Sequence, residues 1–527
     1  MYFIVGSGPS GIACAYALAK AGRRVTILDT GLTLEPERES ARAVLARRDK
    51  RNWSTSEVRF LQGALPKRTG LKLAYGSDFP YRTVLPSTEV VPAGLSFRGS
   101  YARGGLSNVW GGVILPYRQD DLVGWPITEG ELGSAYAAVL NFLPVAARLD
   151  PLAECFPLYT DRYAPLPQSQ QTIRLMRSLE RNRAKLSASH VFFGGSRLAV
   201  DATGTGKQGS CIVCRQCLYG CPRQLIYLSQ QSLGDLVASG KVSYVSGVVV
   251  RSIEEAEGSI RIHAQNVDGS PCSFEGERVF LAAGILNTTT IVLRSQKLYD
   301  RRVDILDSQY FLFPMLQTAA SPNVAQEDLH TLCQAVIEIK DEHVSPHTVH
   351  LQIYSYNDYL PQVLRQRLGI LAHVVPTKMI LGRLLLVQGY LHSSHSGKIT
   401  ATLKRRGPTD ALILEPVVNS ATKDRVKLVI RKLRRLTALT SAFPILSLVE
   451  ITEPGRGYHS GGSFPMVHAP GPGQTDRVGR PYGMVRTHIV DSTVFPTIPA
   501  PTITLTVMAN AYRIGLEVAI NDTQGTP

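Results

Sequence analysis

The chain opens on a strand, a glycine turn, a helix and a second strand ending in an acid, and that order leaves little freedom of fold. Tyr2, Phe3, Ile4 and Val5 form an apolar run, followed by Gly6-Ser7-Gly8-Pro9-Ser10-Gly11. A helical pattern from Ile12 to Lys20 comes next, then Val25-Thr26-Ile27-Leu28-Asp29. In a βαβ unit of this spacing Gly6 permits the tight turn, Gly8 lets the backbone approach a pyrophosphate, and Gly11 lets the helix pack on the strand. Ser10 stands at the helix start, where free amides and the positive dipole end face phosphate. Asp29, about 20 residues beyond the loop, is placed to accept from ribose hydroxyls. The acid in its full βαβ context argues for a dinucleotide site over a glycine turn packed in a core. FAD or NAD is not decided by this loop.

At 527 residues the chain has length for two or three domains, and 44% hydrophobic with 19% charged residues is a globular balance. A net charge of +15 directs attention to an anionic substrate or a membrane surface. Nucleic acid is not expected, because no module interleaves basic with aromatic residues. The first strand begins at once, leaving no room for an export signal, and no run of about 18 apolar residues is present. The expectation is a cytoplasmic protein, with membrane association the second reading.

A second glycine-rich loop carries Arg103-Gly104-Gly105-Leu106-Ser107-Asn108-Val109-Trp110-Gly111-Gly112. It brings bare backbone and a few polar side chains against a flat ligand. Strands at Val242–Val245 and Val248–Val250, and the apolar run Arg278 to Gly284, return the chain to the nucleotide unit. Near the end, Asp491-Ser492-Thr493-Val494-Phe495-Pro496 precedes a proline-flanked Thr502 and a new helix. Such a helix end can face the anionic edge of a flavin.

These pieces, together with Ala282-Ala283-Gly284-Ile285-Leu286-Asn287 and Tyr458-His459-Ser460-Gly461-Gly462, occur in an order that resembles the glucose–methanol–choline (GMC) oxidoreductase family. The resemblance spans nearly the whole chain and is thinnest over 300–450. It implies an α/β FAD-binding Rossmann-like domain interleaved with an α+β substrate domain built on an antiparallel sheet. The FAD domain is expected over 1–150, 205–310 and 452–527, and the substrate domain over 151–204 and 311–451. Expected cofactor contacts are Gly6, Gly8, Ser10, Gly11 and Asp29 from the opening unit, then Arg103, Gly104, Gly105, Ser107, Asn108 and Trp110. Val248, Gly284, Asp491 and Thr502 complete them. The implied reaction is oxidation of an alcohol or sugar hydroxyl by hydride transfer to flavin N5.

His459 lies in a glycine-flanked loop, and imidazole is the natural base near neutral pH. The family motif points to it as the residue that takes the hydroxyl proton. Thr502 stands where the family usually has a second His or Asn; a hydroxyl can hold a substrate oxygen but cannot act as that base. His392 is the alternative assistant.

Cys211, Cys214, Cys217 and Cys221, followed by Pro222, have the C-x2-C-x2-C-x3-C-P spacing of bacterial ferredoxins. Four-cysteine zinc sites usually separate two knuckles by a dozen or more residues, and a cytoplasmic setting disfavours disulfides. The expectation is an iron–sulfur cluster, 4Fe–4S with 3Fe–4S as its variant, in a loop over 209–223. It would pass single electrons from flavin to an external protein or quinone, as in some GMC dehydrogenases whose cysteine spacing differs. Cys14, Cys155, Cys272 and Cys333 read as packed thiols. The alternatives are an electron-transfer or redox-sensing module without its own alcohol substrate, and an FAD oxidase with structural zinc. The segment 363–391 reads either as core-packed pieces broken at Pro376 or as a peripheral membrane contact.

Overall fold

The computed structural model describes residues 1–63, 71–85, 89–204, 209–369, 376–407 and 409–524. Its nucleotide unit is a five-stranded sheet in the order Thr487–Ile489, Arg278–Leu281, Tyr2–Val5, Val25–Leu28, Val242–Val245, with every neighbour pair parallel. All four residues of Tyr2–Val5 are buried. A central parallel strand is covered on both faces, which is why the sequence runs apolar there without alternation. The helix Pro9–Lys20 covers one face, and the final helix Thr504–Gln524 packs against it through Gly515. The strand expected at Val248–Val250 runs on to Ala256 and belongs to a three-stranded antiparallel sheet, Val248–Ala256, Ser259–Asn266 and Pro271–Gly276.

A second layer is antiparallel. Ala442–Pro444, Tyr310–Gln317, Leu384–Tyr390, Val349–Tyr354, Ala335–Ile339 and Val191–Gly195 lie side by side in that order, and Glu450–Ile451 adds to one edge. The chain is thus an N-terminal Rossmann-like nucleotide domain interleaved with an α+β domain on antiparallel sheets. A mixed sheet of Ser460–Gly461, Arg302–Asp307, Lys398–Arg406, Thr409–Val417 and Val90–Val91 joins them. It carries Ser460, the residue after His459, on its edge.

The segment 363–391 divides into parts. Leu360–Leu368 and Thr377–Arg383 are helices, and Leu384–Tyr390 is an interior strand of the antiparallel sheet. Residues 370–375 of that expectation lie outside the described residues. Among the described residues no helix is long and apolar enough to cross a membrane.

Candidate active site

The glycine loops meet at the C-terminal end of the parallel sheet. Gly6 has φ +100, and a Cβ there would stand 2.6 Å from the Ala282 carbonyl oxygen. At Gly11 a Cβ would stand 2.1 Å from the Gly6 carbonyl oxygen. Neither position admits another residue without moving backbone. A Cβ at Gly8 would meet nothing within 4 Å, so the loop turns open backbone toward the cavity beside it. Gly8 caps the helix Pro9–Lys20 without a side-chain bond, leaving the first amides free for an anion.

One serine ties the two loops together. The Ser7 hydroxyl accepts from Gly104 N at 2.9 Å and donates to Asp29. The Tyr244 hydroxyl donates to the same carboxylate oxygen at 3.2 Å. Burial pushes the Asp29 carboxyl up to about 6, against the pull of these hydroxyls. Arg103 lies over the Tyr244 ring at 5.0 Å and so braces this chain from outside.

A single cavity of about 700 Å3 runs from these loops to the antiparallel sheet. Its wall includes Gly6, Gly8, Ser10, Asp29, Gly105, Ser107, Trp110, Val248, Gly284, Asp491, Thr502 and His459. Four expected cofactor contacts are not on the wall: Gly11, Arg103, Gly104 and Asn108. Gly11 serves helix packing, and the Asn108 amide donates to the Arg103 and Gly105 carbonyls at 2.9 and 2.7 Å, holding the loop's shape. Asp491 is occupied too, accepting from Gly284 N at 2.9 Å, Thr288 Oγ1 at 2.5 Å and Thr493 N at 3.0 Å. It joins the end of the strand Arg278–Leu281 to the terminal segment. The Thr502 hydroxyl accepts from Leu115 N at 3.2 Å.

His459 is presented by a strained turn. Tyr458 before it has φ +56, in the left-handed region where a bulky residue is an outlier. Its ring is held by Phe97 at 5.6 Å and Tyr81 at 6.3 Å. Such strain persists only where the surroundings over-determine it. The His459 ring stacks on Tyr390, with centroids 4.7 Å apart and 19° between planes, and its Nδ1 has no protein partner. Enclosure by protein, then the nearby His350, push the imidazole down to about 3, although its face opens on the cavity.

Tyr390 belongs to a row that register lays across four strands: Glu338 opposite His350, His350 opposite Tyr390, and Tyr390 opposite Tyr310. His350 Nδ1 and Glu338 Oε1 are 2.6 Å apart and wholly buried. The Tyr354 hydroxyl donates to Gln352 Oε1 at 2.7 Å, so the amide's nitrogen, 3.2 Å away, donates to His350 Nε2. That leaves the His350 proton on Nδ1, donating to Glu338. The sequence reading missed this network. The signal was there in His350, Gln352 and Tyr354, polar at every second residue of a strand, which places them on one face.

His392 is not on the cavity wall. Its ring stacks on His347 at 3.7 Å, and its Nδ1 accepts from Ser394 N at 3.1 Å. It is a turn-capping residue and stands away from His459's work.

The four clustered cysteines are free and have one another as charge neighbours. Burial pushes the thiols up, Cys214 to about 12 and Cys221 to about 11. Backbone amides address each sulfur: Val213 at Cys211, Gln216 at Cys214, Thr331 at Cys217, and Leu225 and Arg223 at Cys221. Val213 and Arg215 take φ of 45 and 65, so the loop curls back on itself. Among the described residues, however, no three His, Cys, Asp or Glu side chains stand in a metal-holding arrangement. The donor chemistry suits a thiolate-bound group; the atomic arrangement is not closed around one. Leu218, next to Cys217, lines the flavin-side cavity, and Lys72 reaches from that wall to the Trp110 carbonyl at 2.9 Å.

Comparison with known proteins agrees with this architecture. A family model described as an NAD(P)-binding Rossmann-like domain matches residues 4–34, and one described as GMC oxidoreductase matches residues 395–511. No curated protein matches the chain. The solved structure of pyridoxine 4-oxidase from Mesorbium loti is similar, with 13% identity, a TM-score of 0.58 and 98% of each chain covered. At that identity the likeness speaks to fold. The cavity suits FAD: open backbone at Gly8, free helix amides, an acid for the ribose, and length enough to reach the antiparallel sheet. The chain therefore has the fold and domain organisation of the FAD-dependent oxidoreductases of the GMC family.

Proposed function

We propose that the chain is an FAD-dependent dehydrogenase that oxidises the hydroxyl of a sugar or other small alcohol to a carbonyl. The observation that carries this reading is the position of His459, an uncharged imidazole on the wall of the cavity that the dinucleotide loop also lines. FAD, when bound, supplies the acceptor for the two electrons that leave the carbon as hydride. The chain's own residues hold the alcohol and move its proton. His459 takes the hydroxyl proton, with Tyr390 fixing the plane of the ring. The Thr502 hydroxyl, accepting from Leu115 N, keeps its own proton for a substrate oxygen. In His459→Ala, anaerobic flavin reduction by substrate should slow by about 10²–10⁴ with FAD content unchanged. An unaltered rate would remove the histidine from the chemistry.

The cysteine loop is the reason to prefer a dehydrogenase. Four thiols that are one another's electrostatic neighbours, an amide at each sulfur, and contact with the cavity through Leu218 support an iron–sulfur cluster held by Cys211, Cys214, Cys217 and Cys221. Such a cluster, when bound, passes electrons singly to an external protein or quinone. Iron, sulfide and zinc analysis of the purified holoprotein tests this. About three to four irons per chain support the relay; zinc without iron leaves the flavin enzyme and sinks the relay. The second reading is an oxidase, favoured by the likeness in fold to pyridoxine 4-oxidase. Peroxide formed in step with substrate oxidation under air would favour it.

A further inference from the structure

Five charged side chains line the described wall of the cavity: Asp29, Lys72, Arg98, Arg456 and Asp491. Both acids belong to the nucleotide side and are engaged there, Asp29 by Ser7 and Tyr244, Asp491 by Gly284, Thr288 and Thr493. Lys72 donates to the Trp110 carbonyl, and Arg98 to the Leu95 and Phe97 carbonyls at 3.0 and 2.9 Å. Arg456 differs. It stands nearest in sequence to His459; its Nη1 contacts Glu453 at 3.5 Å, Tyr310 is a second hydrogen-bond partner, and its Nε is enclosed by protein.

The surroundings of Arg456 point it toward the reacting end. It stands three residues before His459, with Tyr310 beside it. Tyr310 and Tyr390 have ring centroids 5.9 Å apart, and Tyr390 stacks on His459 at 4.7 Å. A guanidinium, two aromatic rings and the base thus follow one another along the wall. Gly457 makes the approach feasible: a Cβ there would stand 3.1 Å from the Tyr310 ring. The same end of the cavity offers neutral amides, Gln352 opposite Gln388 across two strands, and no carboxylate among its described lining. A planar guanidinium fork, on a wall with no carboxylate among its described lining at this end, matches an anionic oxygen group.

We propose that the substrate of this site is an alcohol carrying a carboxylate or phosphate, and that Arg456 is the residue that binds that anion. The proposal rests on the alcohol-oxidising reading of the same cavity, so its test reads binding without turnover. The holoprotein is titrated with benzoate, with inorganic phosphate and with neutral benzamide, while the flavin absorption is followed. Benzoate or phosphate should perturb the spectrum at concentrations where benzamide does not, and whichever acts names the anion. Arg456→Gln should weaken that binding roughly 10- to 100-fold, with Arg456→Lys between it and the wild type. Both variants are first matched to wild type for FAD content and resting spectrum. If Gln fails that check, Lys decides: unweakened anion binding in Arg456→Lys overturns the proposal, since a point charge cannot reproduce the fork. Equal affinity of wild type for benzoate, phosphate and benzamide overturns it as well. Anion binding that depends on Arg456, in a protein whose flavin no alcohol bleaches, would overturn the enzymatic reading and leave the anion site standing. Flavin bleached equally by neutral and anionic alcohols, in wild type and Arg456→Gln alike, would do the reverse.

Discussion

His459 works from surroundings that strip it of charge. Enclosure and the neighbouring His350 lower its pKa from 6.5 to about 3, so the ring is neutral wherever the protein is folded and active. A free imidazole would begin to lose its base function below about 6.5. Here the active form persists to lower pH, because protonation must await the depressed pKa. The rate of anaerobic flavin reduction at saturating FAD and substrate should therefore stay level from about pH 8 to about pH 5. A stopped-flow series across that range checks it. An acid limb centred near 6.5 would mean that the base sits in a solvated environment, or that another group does the work. Low proton affinity has a cost in driving force, and because Nδ1 is enclosed by protein, only the ring atoms that line the cavity are left to meet the substrate hydroxyl.

At the level of elements, the helix Pro9–Lys20 aims its amides at the cofactor, and it can do so only because the helix Thr504–Gln524 lies close along it. Gly515 is the contact. A Cβ there would stand 3.1 Å from Cys14 Sγ and 3.2 Å from Ala17 Cβ. Gly515→Ala sets a helix-propensity gain of about 1 kcal/mol against that crowding and should change stability little. Gly515→Leu must spread the helices and should cost about 1–3 kcal/mol, lowering Tm and FAD retention together; thermal unfolding with released-flavin fluorescence reads both. A Leu variant that holds FAD as firmly as wild type would show that the helix pair does not position the loop. This pairing also marks what sequence could and could not disclose. The strand, loop, helix and acid from Tyr2 to Asp29 were legible because local geometry dictates each residue type. So was the return through Gly284 and Asp491. The row Glu338, His350, Tyr390 and Tyr310 was not, because strand register over long separations brings it together. Arg456 was hidden for the same reason: proximity to His459 in sequence says nothing of Tyr310, which gives it direction. The cysteine spacing was plain, yet spacing alone does not set the sulfurs around a metal.

Across the whole molecule, buried titratable groups of opposite habit govern how stability responds to pH. His330 and His488 are pushed by burial to about 4, and His392 and His459 to about 3, from 6.5. Below pH 6.5 the unfolded chain takes protons that these rings refuse, so their share of stability is lost as pH falls. Burial acts the other way on acids, raising Asp29 to about 6 and Asp121 and Asp307 to about 7 from 3.8. The folded state holds their protons where the unfolded state has released them. Their share is present at low pH and disappears as pH rises through 6 to 7. Between about pH 4 and 6 four histidines oppose three acids, and the curve should be shallow. At pH 6.5 the unfolded histidines are half protonated, so they continue to offset the acids until about pH 7.5. Over about pH 6.5 to about 8 the two sets nearly cancel, so an acid's own share is read by removing it. Asp307 supplies a specific check. It is 1% exposed, accepts from Ser460 Oγ at 2.7 Å, and has its other oxygen unpartnered, so its ionised form is poorly compensated. Asp307→Asn cannot ionise, so from about pH 6.5 to about pH 8 its Tm should gain on that of the wild type. Parallel melts of the two holoproteins at pH 6.5 and 8 would measure the difference. Equal changes in the two would mean that the loop carrying His459 is held as firmly by a charged Asp307 as by a neutral one.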